Sequence, residues 1–437
     1  MFPPKKILPV TLLCFVLVTG CSSPKQPTQP AAQPVSNELA SEPDSSRNII
    51  RELEARVAAD KEDFVAFNKL AGYYLQQLRE TGDVKYLSQA RKAVEASLKI
   101  LPAEQNSSAL LTLAQIDFSS HNFQGARDLA QRLTRLQPEK TQPYQILADA
   151  LLELGDYDGA AEAFQNLENR GDDTVAAQAR LSKYDLLYGR VERAELRLQK
   201  ALTLALEEIP PSREAIAWCR WQLGELAFHR GDYEKAEQHY NDSLSILPDY
   251  YRAIASLGRV LSARGDLQRA ISNYEKVTRQ LPDPSYVSTL GDLYKLAGRE
   301  KDALAQYELV ERVGHVHGEN ESLYNRQLAL FYADHDKKLA QAYLLASREY
   351  RVRRDIYGAD ALAWTALKAG KLTEAQAAIK DALRLGTKDA LLYYHAGMIA
   401  RASGDRKQAK DYFQRLAALN PRFDPLQSRI AEQALAE

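Results

Sequence analysis

The 437-residue chain is poor in cysteine and histidine, with three and seven respectively. Cys14, Cys21 and Cys219 are too few for a disulfide framework, and so sparse a set of histidines leaves little for a metal site. An excess of one charge is also lacking. Fifty-seven lysines and arginines face 58 aspartates and glutamates, with no basic run, which argues against a nucleic-acid partner. The basic segment 348–354 is short, is interrupted by Tyr350, and reads as a solvated helix face. Long hydrophobic runs are missing except from Ile7 to Val18. That is about a dozen residues, where a membrane span needs ~20.

Signatures of chemistry are equally thin. There is no phosphate-binding glycine loop, dinucleotide fingerprint or nucleophile elbow. The carboxylates are scattered at helical spacing, so no pair stands out as an acid/base couple. His315 and His317 beside Glu319 and Glu321 lack a third histidine or cysteine and read as an inter-repeat loop. Asp334, His335 and Asp336 read as a turn whose aspartates bond local backbone. No catalytic residue, metal, cofactor or small-molecule substrate is expected, and the chain reads as a binding protein rather than an enzyme.

What the sequence does have is a period. Ala126, Ala160 and Ala194 stand 34 residues apart; Ala236, Ala270 and Ala303 resume at 34 and 33, and Ala375 and Ala409 give 34 again. Gly155 and Gly189, Gly231 and Gly265, and Gly370 and Gly404 keep the same interval. Such a period with helical patterning means stacked helical hairpins. In the clearest unit Leu223 and Gly224 lie on a first helix, Gly231 makes the turn, and Ala236 lets the second helix approach closely. Tyr240 fills the space between hairpins and Pro248 ends the second helix. The phase breaks twice. Ala194 to Ala236 is 42, with the surplus expected in the linker 207–211, and Ala303 to Ala375 is 72, with the surplus expected near 314–318.

The order Leu-Gly, Gly-Asp, Ala, aromatic, Pro resembles the tetratricopeptide repeat (TPR), and copies of it run from about Phe64 to Pro421. The resemblance implies an all-α fold, a right-handed superhelical solenoid of about ten TPR-like hairpins with a C-terminal capping helix. Asp424 and Pro425 suit the start of that cap, and residues 49–58 suit an amphipathic lead-in helix.

The N-terminus divides the chain further. Lys5 and Lys6, the short apolar run, and Leu17, Val18, Thr19, Gly20 and Cys21 form a secretory signal with small residues at its end. The run ending in Cys21 resembles the lipobox of bacterial lipoproteins. It implies cleavage after residue 20 and lipidation of Cys21, which anchors the chain firmly when two or three acyl chains are attached. Ser22 in place of an aspartate implies transfer to the outer membrane, facing the periplasm of the bacterial cell envelope. Proline, glutamine and serine dominate residues 21–47, which read as a lipidated cysteine and disordered tether. The solenoid then occupies 48–437.

In the TPR family the first helix of each hairpin lines a concave groove. The matching positions here hold Trp218, Trp221 and Phe228 on one hairpin and Arg252 and Arg259 on the next. These residue types are favoured at binding hot spots, and the group suits an acidic-hydrophobic peptide or partner helix from an envelope protein. Packing between neighbouring hairpins accounts for Trp218 and Trp221 equally well. Trp364 and Tyr394 hold comparable positions in later repeats. Cys219 is expected to be a packed thiol. The function these features point to is a membrane-anchored scaffold or assembly adaptor, with a structural subunit of an envelope complex as the alternative.

Overall fold

A computed structural model describes residues 45–318 and 325–436, which lie within one compact unit, Glu42–Glu437. Among the described residues there are 22 helices and no strand. A lead-in helix, α1 (Ser45–Ala59), precedes ten hairpins. The first five are α2 (Phe64–Thr81) with α3 (Lys85–Ile100), α4 (Ser107–Ser119) with α5 (Phe123–Leu136), α6 (Gln142–Leu154) with α7 (Tyr157–Asn169), α8 (Val175–Leu187) with α9 (Val191–Glu207), and α10 (Arg213–His229) with α11 (Tyr233–Ile246). The second five are α12 (Tyr251–Ala263) with α13 (Leu267–Gln280), α14 (Pro284–Leu296) with α15 (Glu300–Gly318), α16 (Asn325–Asp334) with α17 (Leu339–Val352), α18 (Ile356–Lys368) with α19 (Leu372–Ala382), and α20 (Ala390–Ala402) with α21 (Arg406–Leu419). Helix α22 (Gln427–Ala436) closes the array. The expected solenoid of about ten hairpins with a capping helix is therefore what forms. The signal peptide, Cys21 and most of the tether lie outside the described residues, and α1 starts at Ser45, inside the span assigned to the tether.

The repeat signature has a physical reading at each position. Gly231 adopts φ +74°, which closes the first helix, and Asp232 then caps α11 by accepting from the Lys235 amide. Asp156, Asp266 and Asp405 cap their helices in the same way. The periodic alanines at 126, 160, 194, 236, 270, 303 and 375 are fully buried. A Cβ on Gly224 would stand 2.5 Å from the Tyr240 ring, so the glycine of the first helix is the socket for the aromatic of the second. Helices α3, α11, α13 and α21 each stop two residues before a proline.

Two local expectations need correction. The surplus in the 42-residue interval is not in the linker 207–211. It appears as added helix: the first helix α10 has 17 residues where most first helices have 13, and the second helix α9 has 17 where α5, α11, α13, α17 and α21 have 14. The surplus near 314–318 is also helical: α15 runs 19 residues to Gly318, which puts His315 and His317 in its last turn and not in a loop. Glu319 and Glu321 lie outside the described residues.

The first half of the array is joined to the second through its hairpin turns. The Leu154 carbonyl accepts from the Arg354 amide at 3.1 Å, and Tyr157 Oη accepts from the Ile356 amide at 2.8 Å. Thr387 Oγ1 donates to the Leu187 carbonyl. Asn420 donates to the Phe228 carbonyl at 2.8 Å and accepts from Tyr233 Oη at 2.6 Å. The partners are 187–200 residues apart, so hairpins three, four and five each sit against a point about six hairpins further along the chain. Arg353 belongs to this seam and not to a solvated face: it pairs with Glu153 at 2.6 Å and covers the Phe123 ring.

Candidate functional site

The five expected groove residues share one interior wall made by α10 and α12. Trp218 and Trp221 are half-buried and meet edge to face, with centroids 6.5 Å apart. Trp221 Nε1 donates to Ser256 Oγ at 2.9 Å, so this ring also ties one hairpin to the next. The Arg252 guanidinium lies 5.2 Å from the Trp221 ring. Phe228 is buried, and Arg259 lies 4.1 Å over its face. The wall thus contains both readings of its tryptophans: they pack between hairpins and keep part of their surface free.

Glu225, which holds a groove position between Trp221 and Phe228, organises the centre of the wall. It accepts from Tyr240 Oη at 2.8 Å, Ser256 Oγ at 2.6 Å and Arg259 Nη2 at 2.7 Å. Burial alone would raise its carboxyl, but Arg259 and the two hydroxyls hold it below the usual range. The i, i+4 step from Trp221 puts this carboxylate on the same helical stripe; what the stripe does not show is that its partners are Tyr240 on the second helix and Ser256 and Arg259 on the next hairpin.

The wall is not an open groove. Tyr357, Asp389, Phe423 and Asp424 from the later hairpins and the cap segment come over Glu225, Phe228 and Arg259 and leave a cavity of ≈ 370 Å³. Trp364 and Tyr394, offered by sequence as lesser groove positions, are core residues at 2% and 1% exposure. Trp364 Nε1 donates to Asp334 Oδ1 at 2.8 Å, and its ring stacks on His395, which is bonded to Asp360 at 2.9 Å. Asp334 also accepts from Gln427 at 2.6 Å, so its bonds are to distant side chains and not to local backbone. His335 bonds Asp292 at 2.8 Å. Lys183 pairs with Glu153 at 2.9 Å. Cys219 is fully buried, and burial pushes its thiol up to about 12, so the reactive thiolate is absent at neutral pH.

Asp424 accepts from the Leu426 and Gln427 amides at 2.8 and 2.7 Å, as a cap does, but the last helix begins at Gln427, so Pro425 stands in the turn before it and not at its first position. Burial pushes its carboxyl up to about 7, and the charges of Asp292 and Asp334 add to the shift. The unfolded chain loses this proton near 3.8, so between those two values the folded state holds more protons than the unfolded one. Stability therefore falls as pH rises through the window and stays low above it. Asparagine keeps the cap without the charge. Asp424→Asn should match wild type near pH 4 and exceed it at pH 8 by on the order of 2 kcal/mol, allowing for partial exposure. Urea midpoints at the two pH values check this. An Asp424→Asn advantage that does not grow with pH would refute it.

Among the described residues no helix is long and apolar enough to cross a membrane, and no group of three or more His, Cys, Asp or Glu is placed to hold a metal.

The tetratricopeptide repeat profile matches residues 173–249 in one form and 111–176 and 361–425 in another, and the profile of the TT21 fifth ARM repeats domain matches 219–324. The TPR repeat-containing protein YpiA of Bacillus subtilis is 20% identical over 347 residues, which is 76% of this chain and 71% of YpiA. The photosystem I assembly protein Ycf3 of Prochlorococcus marinus is 31% identical over 111 residues, 23% of this chain and 64% of Ycf3. Among solved structures, a human IFIT1 dimer with PPP-AAAA aligns over 87% of this chain and 96% of its own at 12% identity and TM-score 0.46. MamA aligns over 40% of this chain and 97% of its own at 21% identity and TM-score 0.32.

Proposed function

Since the chain is a tetratricopeptide repeat protein, we propose that it is a lipid-anchored scaffold or assembly adaptor of the bacterial cell envelope. The observation that carries the scaffold part is the repeat array itself. Ten hairpins present long helical faces and half-buried Trp and Arg side chains. A photosystem I assembly protein among the similar chains supports an assembly role. The anchor rests on the run from Leu17 to Cys21 behind a short apolar segment. Acylated at Cys21, the protein would sit at the outer membrane facing the periplasm and bind envelope proteins or peptides, not nucleic acid.

One observation favours the second reading, a structural subunit of an envelope machine for pilus, secretion or outer-membrane assembly. The later hairpins cover the wall around Glu225 and Arg259, so a partner helix has no continuous groove there. A rigid part held by its outer faces fits that geometry.

Cys21→Ala should abolish metabolic palmitate labelling and leave the signal uncut; unchanged labelling would end the anchored reading. Affinity capture of the lipidated protein, with identification of what co-purifies, separates the two roles. Substoichiometric, salt-sensitive partners mark an adaptor, and a fixed-ratio complex marks a subunit. Recovery of the protein alone would overturn both.

A further inference from the structure

Four carboxylates and two histidines, from hairpins seven to ten and the cap segment, come together where the cap docks. Asp292 Oδ1 accepts from Tyr307 Oη and is bonded to His335 Nε2, both at 2.8 Å. Asp360 is bonded to His395 Nδ1 at 2.9 Å. Asp334 feels the charges of both histidines and of Asp292. It forms no ion pair among the described residues and accepts instead from Trp364 Nε1 at 2.8 Å and from Gln427 Nε2 of the cap helix at 2.6 Å. Asp424 is the fourth carboxylate, brought in by the cap segment itself and set against Asp292 and Asp334. Apolar contact holds the rest of the cap: the Phe423 and Tyr394 rings are 5.5 Å apart, and Ala431 is 2% exposed.

The other charges facing Asp424 do not offset this group. Arg259 of α12 is committed to Glu225 of α10 at 2.7 Å, and burial keeps His229 of α10 below its ordinary value and so uncharged at neutral pH. Asp389 of α20 accepts from the Leu391 and Leu392 amides and adds negative charge. Lys368 of α18 pairs with Asp336, and Arg415 of α21 with Asp411. Burial keeps the Tyr274, Tyr357 and Tyr394 hydroxyls protonated. Arg422 and Arg429 of the cap segment are exposed.

We propose that the cap segment, residues 421–436, is a pH-operated latch, docked in acid and released from hairpins eight to ten as the medium turns alkaline. Burial alone would lower the two imidazoles, but Asp292 and Asp360 hold His335 and His395 above the ordinary 6.5. Burial pushes Asp424 up to about 7. With all three protonated, three carboxylate charges face two imidazolium charges. With none protonated, four carboxylates stand unopposed. Released into water, Asp424 returns to the ordinary 3.8, so between that value and about 7 the docked form holds the extra proton. Each pH unit in that window shifts the balance toward release by up to about tenfold. Release uncovers the wall at Glu225, Phe228 and Arg259, because Phe423 and Asp424 form part of its cover. The latch goes beyond the scaffold reading and stands whether or not the protein proves to be an adaptor.

The test puts a thiol under the cap. Ala431→Cys, with Ala436→Cys as the exposed reference, is made in the full-length chain with Cys14 and Cys21 as serine, in detergent. The rate of modification at 431 by a soluble disulfide reagent is divided by the rate at 436, which removes the thiol's own pH dependence. The ratio should rise at least about tenfold from pH 5 to pH 8. Asp424→Asn should remove most of that rise. Cys219, buried in hairpin five, reports global unfolding and should stay unmodified throughout. If 431 already reacts like 436 at pH 5, the new thiol has itself loosened the cap, and hydrogen exchange in the unsubstituted chain decides. Protection of α22 relative to α21 should then fall over the same pH range, and hardly fall in Asp424→Asn. A signal that does not change with pH, a change undiminished by Asp424→Asn, or modification of Cys219 in step with 431 would overturn the latch.

Discussion

Gly155→Val should part the two halves of the solenoid and cost on the order of 3–5 kcal/mol. Gly155 sits at φ +78°, and a Cβ there would stand 2.2 Å from the Arg354 carbonyl oxygen and 2.3 Å from its carbon. Both are backbone atoms, so no rotamer change can relieve the contact. A β-branched residue in the left-handed region adds roughly 1–2 kcal/mol of strain. If the backbone moves apart, the Leu154–Arg354 and Tyr157–Ile356 hydrogen bonds and the Glu153–Arg353 pair go together. Each such bond is worth about 1 kcal/mol, and more when charged. Gly265→Val is the control. Gly265 has φ +88° with nothing within 4 Å, so valine there carries only the backbone strain. Urea unfolding should separate the two by at least about 2 kcal/mol. Hydrogen exchange at the 354 and 356 amides should speed up only in the first. Equal costs for the two variants would mean that the turn of the third hairpin touches nothing.

The second large effect is expected at Tyr240. The ring is fully buried in the socket left by Gly224, and its hydroxyl donates to Glu225 at 2.8 Å. Tyr240→Ala removes an aromatic from a packed site, which costs about 3–5 kcal/mol, and it leaves Glu225 with one donor fewer. Tyr240→Phe keeps the ring and loses only the bond, so it should cost about 1.5–3 kcal/mol. Calorimetric or urea unfolding of the two variants checks both the sizes and the order. A phenylalanine variant as destabilised as the alanine one would mean that the bond to Glu225, and not the ring in its glycine socket, holds this hairpin.

How much of this was legible in the sequence follows the range of the interactions. The period, the turn at Gly231, the small Ala236, the aromatic Tyr240 and the stop before Pro248 all act within one repeat. Each copy writes the same local pattern again, and ten hairpins could be counted from it. The capping bonds of Asp424 were readable because a capping aspartate and the amides it takes are neighbours in the chain. The five wall residues were found together because a helical stripe is a local geometry too. The seam was not readable. Gly155 looks like any other turn glycine, yet it also makes room for a backbone about 200 residues away. Arg353 looks like one member of a basic run, yet it is paired with Glu153 across that distance. No periodic mark distinguishes residues that meet six hairpins apart. The same blindness turned Trp364 from a groove candidate into core, and gave Asp334 local bonds where it has distant ones.

The central claim is that the later hairpins return onto the turns of the earlier ones, and a distance measures it most directly. Glu234 and Arg422 are exposed on either side of the Tyr233–Asn420 contact. Spin labels can be placed there through Glu234→Cys and Arg422→Cys in a chain whose Cys14 and Cys21 are serine, with Cys219 buried and unreactive. Pulsed electron–electron resonance should give one short, narrow distance, as for neighbours across a packed contact. In an open stack the labels would be separated by about ten helices, each layer adding ~8–10 Å along the path. A long or broad distribution, unchanged by Gly155→Val, would contradict the account.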